Sequence, residues 1–336
     1  MKAACLCRAL EDGVVQCLAC AHFCRVAPNE RGKCGVRENQ DGTLVTRVYD
    51  RVVAATVDPI EKKPLFHLHP GTTSFSIATM GCNLTCQFCQ NADIAQWPVH
   101  NDGDIPGQAM SPEQIVAQAL AQGCQSISFT YTEPTVFIEL ALDTARLARE
   151  KGLLTVFVSN GFMGPNLIDE VAPVLDGANV DLKAFSEDFY RRFCGARLDP
   201  VKKNLVRMKE KGVMVEVTTL VIPGLNDDLS DLAAMADFIS GQMGPDTPWH
   251  LSRFHPAHTL TDRGITPRAT LDAAWQIGKD AGLFHVYTGN ISNGREDTFC
   301  HECDRLVVAR RGYTTDNYMT EPGRCPGCGT KIYGIY

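Results

Sequence analysis

The chain has 336 residues, 44% hydrophobic and 21% charged, a composition that supports a sizeable core and excludes disorder over most of its length. Its formal net charge of -7 lacks the basic footprint of a nucleic-acid binder. No apolar run approaches the ~18 residues a membrane helix needs, and MKAACLCRALEDGVVQC at the N-terminus lacks the apolar stretch of a secretory signal.

Fifteen cysteines dominate the pattern. The number is odd and the chain is far above mini-protein size, so a disulfide framework is a poor account, and a reducing, cytoplasmic setting is expected. Residues 1–48 hold Cys17, Cys20, Cys24 and Cys34 as C-x2-C-x3-C-x9-C, with little apolar sequence between turn signals. This segment reads as a metal-tied cap holding zinc or a second iron–sulfur cluster, with His22 at its surface. Lys62 and Lys63 read as a solvated pair. His67 and His69 share a face if the backbone is extended, which would let them line an entrance.

From residue 75 to 290, short β-branched runs alternate with amphipathic stretches. Strands are predicted at Ser74–Met80, Ser126–Tyr131, Leu154–Ser159, Asn179–Ala184, Met214–Val221, Trp249–Phe254 and His285–Thr288. Helices are predicted at Pro112–Ala121, Thr135–Lys151, Asn166–Val171, Val201–Lys211, Ser230–Ser240 and Ala269–Ala281. Alternation of this kind implies a parallel sheet with right-handed crossovers. The fold class is α/β, a partial (β/α)6-type TIM-like barrel over residues 49–295. Pro98–Pro112 reads as a surface loop.

The first predicted strand runs straight into Cys82-x3-Cys86-x2-Cys89, where the loops of a βα barrel carry catalytic groups. Three thiolates fill three corners of an iron–sulfur cube and leave one iron open, unlike four-cysteine electron carriers. A zinc site with a remote fourth ligand is the alternative. Cys194, on the polar stretch Arg191–Gly195, reads as remote from chemistry, with a hydrogen-atom relay as the sharper option. Residues 296–336 carry Cys300, Cys303, Cys325 and Cys328 as C-x2-C-x21-C-x2-C, the two-knuckle spacing of a zinc ribbon around a hairpin at Leu306–Thr315. Arg311-Gly312-Tyr313 reads as its turn.

Cys-Asn-Leu-Thr-Cys-Gln-Phe-Cys, at Cys82–Cys89, resembles the signature of radical S-adenosylmethionine (SAM) enzymes. Tyr131-Thr132-Glu133-Pro134 stands where that family has Gly-Gly-Glu-Pro, and the resemblance implies that Glu133 accepts the methionine amino group. Ser159-Asn160-Gly161-Phe162 resembles the ribose-proximal segment of pyruvate formate-lyase activating enzyme. Asp181-Leu182-Lys183 resembles that enzyme's segment near the methionine carboxylate and a monovalent cation, although an Asp181–Lys183 structural salt bridge serves equally. His255 sits where that activase has a histidine beside the nucleoside. Asp58-Pro59-Ile60-Glu61-Lys62-Lys63-Pro64-Leu65, Val221–Asp227 and both flanking cysteine regions are similar to the AmmeMemoRadiSam-system radical SAM enzymes.

The resemblance implies a 4Fe-4S cluster on Cys82, Cys86 and Cys89, with SAM as cofactor. It further implies a flavodoxin- or ferredoxin-like electron donor, and Memo-like and AMMECR-type partners. Hydrogen abstraction from a protein or small-molecule substrate is the activity expected. An iron–sulfur scaffold without turnover and a zinc-ribbon RNA-modifying protein are the alternatives; neither a membrane nor a nucleic acid is expected as partner.

Overall fold

A computed structural model describes residues 1–292, 294–320 and 323–336. The central sheet contains β1 (Arg51–Pro59), β2 (Thr73–Thr79), β3 (Ser126–Phe129), β4 (Leu154–Ser159), β5 (Gly177–Asp181), β6 (Met214–Val221), β7 (Trp249–Arg253) and β8 (Val286–Gly289). β2 to β8 pair in parallel in chain order. Their runs of Val, Ile, Phe and Thr suit strands covered on both faces. Between them lie α1 (Pro112–Ala121), α2 (Ile138–Glu150), α3 (Pro165–Val171), α4 (Leu198–Glu210), α5 (Leu229–Phe238) and α6 (Arg268–Asp280). Ser111 and Gln114 start α1 with a reciprocal capping box. Among the described residues this gives seven parallel strands with six helices of seven residues or more between them, an α/β architecture with a sheet that does not close on itself.

β1 pairs antiparallel with β2 and extends the sheet at that edge. Sequence periodicity does not reveal it. Its burial pattern is irregular and its ladder slips between Val52 and Ala54, which blurs the two-residue period that marks a strand.

The N-terminal region is more built than its sparse apolar content suggests. Two three-stranded sheets enclose a small core of Ala4, Val15, Cys17, Ala19, Val26 and Leu44. It docks on the central α/β unit by backbone: Ala21 N–H donates to Phe162 O at 3.2 Å, and Gly164 N–H to Ala19 O at 2.8 Å. A Cβ on Gly164 would lie 2.1 Å from Leu18 O, so the approach needs glycine. Arg37 and Glu139 on α2, each 2% exposed in its side chain, complete the junction as an ion pair at 2.8 Å.

The C-terminal hairpin consists of Leu306–Arg311 and Thr314–Asn317, turning at Gly312-Tyr313. Arg310 donates to Phe66 O at 2.7 Å and Thr315 to Glu61 at 3.0 Å, which fastens it to the segment after β1. His67 is fully buried, donating to Tyr333 O and accepting from Tyr287, both at 2.7 Å. His67 therefore lines no entrance, and His69, half-buried, is not among the residues that line the main cavity. The tail Tyr333–Tyr336 packs there against the beginnings of β4 and β6, a long-range contact that local spacing does not encode.

Candidate functional site

The loop after β2 carries Cys82, Cys86 and Cys89 into a cavity of about 660 Å3. Residues at the C-terminal ends of the strands form much of its wall: Glu133 after β3, Ser159 and Asn160 after β4, Asp181 and Lys183 after β5. The loop is pinned by its backbone. Thr85 N–H donates to Cys194 O and Gln87 N–H to Phe193 O, each at 3.0 Å. Gly81 has φ +98°, and a Cβ there would lie 2.7 Å from Val36 of the N-terminal cap. Leu84 N–H donates to Cys82 Sγ at 3.4 Å, the kind of amide–sulfur contact that supports a thiolate.

The three thiols are free. They face one cavity without converging on a point: among the described residues, a group of metal-ligating side chains closes to within 4.8 Å only at the C-terminal cysteines. Burial pushes the Cys82 thiol well up, and nearby Glu133, Cys86 and Cys89 add to this. Cys86 is drawn down by a hydrogen bond from Cys194, and the Lys183 charge assists. Cys194 is thus not remote from the site. It is fully buried on a short π-helical turn, Tyr190–Cys194, behind the cysteine loop, where its carbonyl accepts from Thr85 N. The polar arginines beside it in sequence point elsewhere and mask this.

Glu133 is 1% exposed. Its Oε1 accepts from Thr135 N (3.1 Å), Thr135 Oγ1 (2.6 Å) and Ser159 Oγ (2.9 Å), and its Oε2 from Asn160 N (2.8 Å). Burial nevertheless pushes its pKa up against these donors. Oε2 has one partner and so retains capacity for another. Asn160 also donates to Asn83 Oδ1 at 2.8 Å, tying the end of β4 to the cysteine loop. Lys183 Nζ lies 2.8 Å from Asp181 Oδ2. Burial alone would lower the Lys183 pKa, but Asp181, Cys86 and Cys194 hold it well above the ordinary value. His255 is exposed and outside the cavity wall; the histidine that lines it is His250, from within β7, bonded to buried Glu216 at 2.6 Å. The loop after β7 carries His255 outward, which sequence position does not reveal.

Another part of the wall comes from Glu61, Lys62, Lys63 and Pro64, with Asp58 bonded to both lysines. Lys63 is 1% exposed, donates to Asp58 Oδ2 at 2.7 Å and lies 4.4 Å from the Tyr131 ring centre. Lys62 bonds Asp58 Oδ1 at 2.7 Å. Both lysines line the cavity, because one buried carboxylate gathers both, but only Lys63 is withdrawn from solvent; Lys62 stays exposed at the rim. Ser76 and the Tyr131 hydroxyl also donate to Asp58. Tyr131 has φ +64°, a left-handed backbone that is costly for a bulky residue. Asn91 fixes it by donating to its carbonyl at 2.9 Å. Tyr131 thus holds a backbone conformation that glycine adopts without cost. On the same wall, Glu61 Oε2 and Thr218 Oγ1 are buried without a partner, and Tyr313 reaches the cavity from the hairpin turn.

Two further cysteine groups stand apart. Cys300, Cys303, Cys325 and Cys328 have all their Sγ atoms within 4.8 Å of one another, with Cys300–Cys328 and Cys303–Cys325 at 3.6 Å. Cys17, Cys20, Cys24 and Cys34 surround a separate small cavity together with His22 and Arg37. His22 is half-buried, donating from Nε2 to Asn83 O at 2.7 Å.

Comparison with known proteins gives a consistent picture. Residues 76–239 match the radical SAM superfamily. The chain is 41% identical over 326 residues to the uncharacterized protein MJ0808 of Methanocaldococcus jannaschii, covering 96% of each. It is 27% identical over 175 residues to the putative glycyl-radical enzyme activating enzyme MJ1227 of the same organism, across 49% of this chain and 69% of that one. In fold it is similar to Streptococcus suis SuiB bound to precursor peptide SuiA, with a TM-score of 0.52, 15% identity, and 69% of this chain and 52% of that one covered.

Proposed function

We propose a function on one premise: the chain belongs to the radical SAM superfamily. Membership implies a 4Fe-4S cluster and SAM. The donor set suits them, since three free thiols, Cys86 buried and Cys82 and Cys89 half-buried, face one cavity too widely spaced for a single ion. Cys82, Cys86 and Cys89 would hold three irons. The cluster, when bound, supplies the electron that breaks a carbon–sulfur bond of SAM, leaving a deoxyadenosyl radical to take a hydrogen atom from the substrate.

The chain's own residues position the reactants. Glu133 Oε2 receives the methionine ammonium, held in place by the four donors around the carboxylate. Lys183 faces the methionine carboxylate, and Asp181 steadies Lys183 by charge. Ser159 and Asn160 lie toward the ribose and fix Glu133 at the same time. The substrate lies against the Glu61, Thr218 and Lys63 wall, where the unpartnered Glu61 Oε2 calls for a donor group. We assign a hydrogen-abstracting activity like that of the glycyl-radical activating enzymes. The substrate is a protein or a small molecule, and the setting is the AmmeMemoRadiSam system, with Memo-like and AMMECR-type partners and a flavodoxin- or ferredoxin-like donor. The C-terminal cysteines would hold zinc, since thiolates about 2.3 Å from one zinc stand about 3.8 Å apart.

The observation that carries this reading is the single cavity uniting the cysteine trio with Glu133 and Lys183. The test is anaerobic reconstitution with iron and sulfide, then SAM and dithionite. The wild-type chain should release 5′-deoxyadenosine and the triple variant C82A/C86A/C89A none. A wild-type chain with a full cluster and no nucleoside product would refute it.

A further inference from the structure

We propose that Cys17, Cys20, Cys24 and Cys34 hold a second iron–sulfur cluster and not the zinc ion that so small a module suggests. The comparison lies within the molecule. The C-terminal quartet draws its four sulfurs to within 4.8 Å of one another, the closeness that one tetrahedral ion requires. Among the described residues, the N-terminal quartet does not converge in this way, although all four thiols are free and line one cavity of about 20 Å3. The Cys82, Cys86 and Cys89 trio shows the same habit around its own cavity. A cubane places each thiolate on a different iron, so its ligands ring a volume and do not meet at a point.

The quartet is also held at that spacing. Cys17 N–H donates to Cys24 O and Gly32 N–H to Arg37 O, each at 2.9 Å.

Arg37 is the second observation. It lines this cavity, is 2% exposed, and is anchored by Nη2 to both Glu139 oxygens at 2.9 and 2.8 Å. Its Nε and Nη1 are buried with no partner. Unmet donors on a buried cation call for an anionic occupant with acceptor atoms, which a thiolate-bound cluster with inorganic sulfides provides. The site adjoins the main cavity. Asn83, next to Cys82, and Thr135, which donates to Glu133, both lie on its wall.

The test uses the full chain, reconstituted anaerobically with ferrous iron and sulfide and analysed for iron, sulfide and zinc. The wild type should carry about eight irons, against about four if only the trio binds a cluster. C82A/C86A/C89A should keep about four irons and a reduced-cluster electron paramagnetic resonance (EPR) signal that SAM leaves unchanged. C20A/C24A should lose about half the iron and keep the SAM-responsive signal. An iron-free triple variant with extra zinc, a quartet with about one iron and no sulfide, or a metal-free quartet would each overturn the proposal. Should the triple variant fail to fold, the wild-type iron count decides. About eight irons without SAM cleavage would refute the main functional reading and leave this one standing.

Discussion

Glu133 gathers four donors while buried, an arrangement that fixes a carboxylate for a cationic guest. On the proposed function, replacing it by alanine would remove one charged hydrogen bond to the methionine ammonium, a contact of about 1.5–3 kcal/mol. E133A should therefore bind SAM roughly 10- to 100-fold more weakly by calorimetry, while iron content is unchanged. Cys194 supports a different prediction. Its carbonyl accepts from Thr85 N at 3.0 Å and its buried thiol lies near Cys86, which places it behind one corner of the trio, where we propose that it donates to the Cys86 sulfur. A donor to a cluster sulfur stabilises the more negative, reduced state. C194A should retain the cluster and show a lower midpoint potential in redox titration. An unchanged potential would remove that role. Glu133 was legible from a short motif, whereas Cys194 was hidden because a π-helical turn buries it among exposed arginines.

At the scale of elements, the parallel strands and their helices were legible because period and length agree along β2 to β8. The antiparallel β1 was not, since a bulge interrupts its pattern. The end of β1 and the turn beyond it prove central to the cavity. Burial raises the Asp58 pKa, but hydrogen bonds from Lys62, Lys63, Tyr131 and Ser76 outweigh it and hold the carboxyl well below its usual range. The folded pKa is lower than the unfolded one, so the stabilisation is present above about pH 4 and is lost as pH falls through the folded value. D58N leaves Lys63 buried without its counter-charge and should cost about 3–5 kcal/mol at neutral pH. Denaturant unfolding should show that deficit narrowing below about pH 4.

Across the whole molecule, two cysteine-bearing modules brace a barrel whose sheet remains open. The N-terminal one relies on Arg37–Glu139 and on the glycine-dependent contact at Gly164. E139A should destabilise the chain by about 3–5 kcal/mol, because a buried arginine loses its partner. Limited proteolysis should then cut the first 48 residues ahead of the barrel, and equal cleavage in variant and wild type would contradict this. The C-terminal one reaches the cavity through Tyr313. Its knuckle spacing was readable, but its docking on Phe66 and Glu61 was not, since those partners lie more than 240 residues away. No helix among the described residues is long and apolar enough to cross a membrane.

The central claim is that three cysteines leave one iron open to SAM. EPR of the reduced, fully loaded chain tests it most directly. Adding SAM should alter the signal that disappears in C82A/C86A/C89A, because a ligand has joined that cluster. A signal indifferent to SAM at saturating concentration would mean that no iron is open, and the claim would fail.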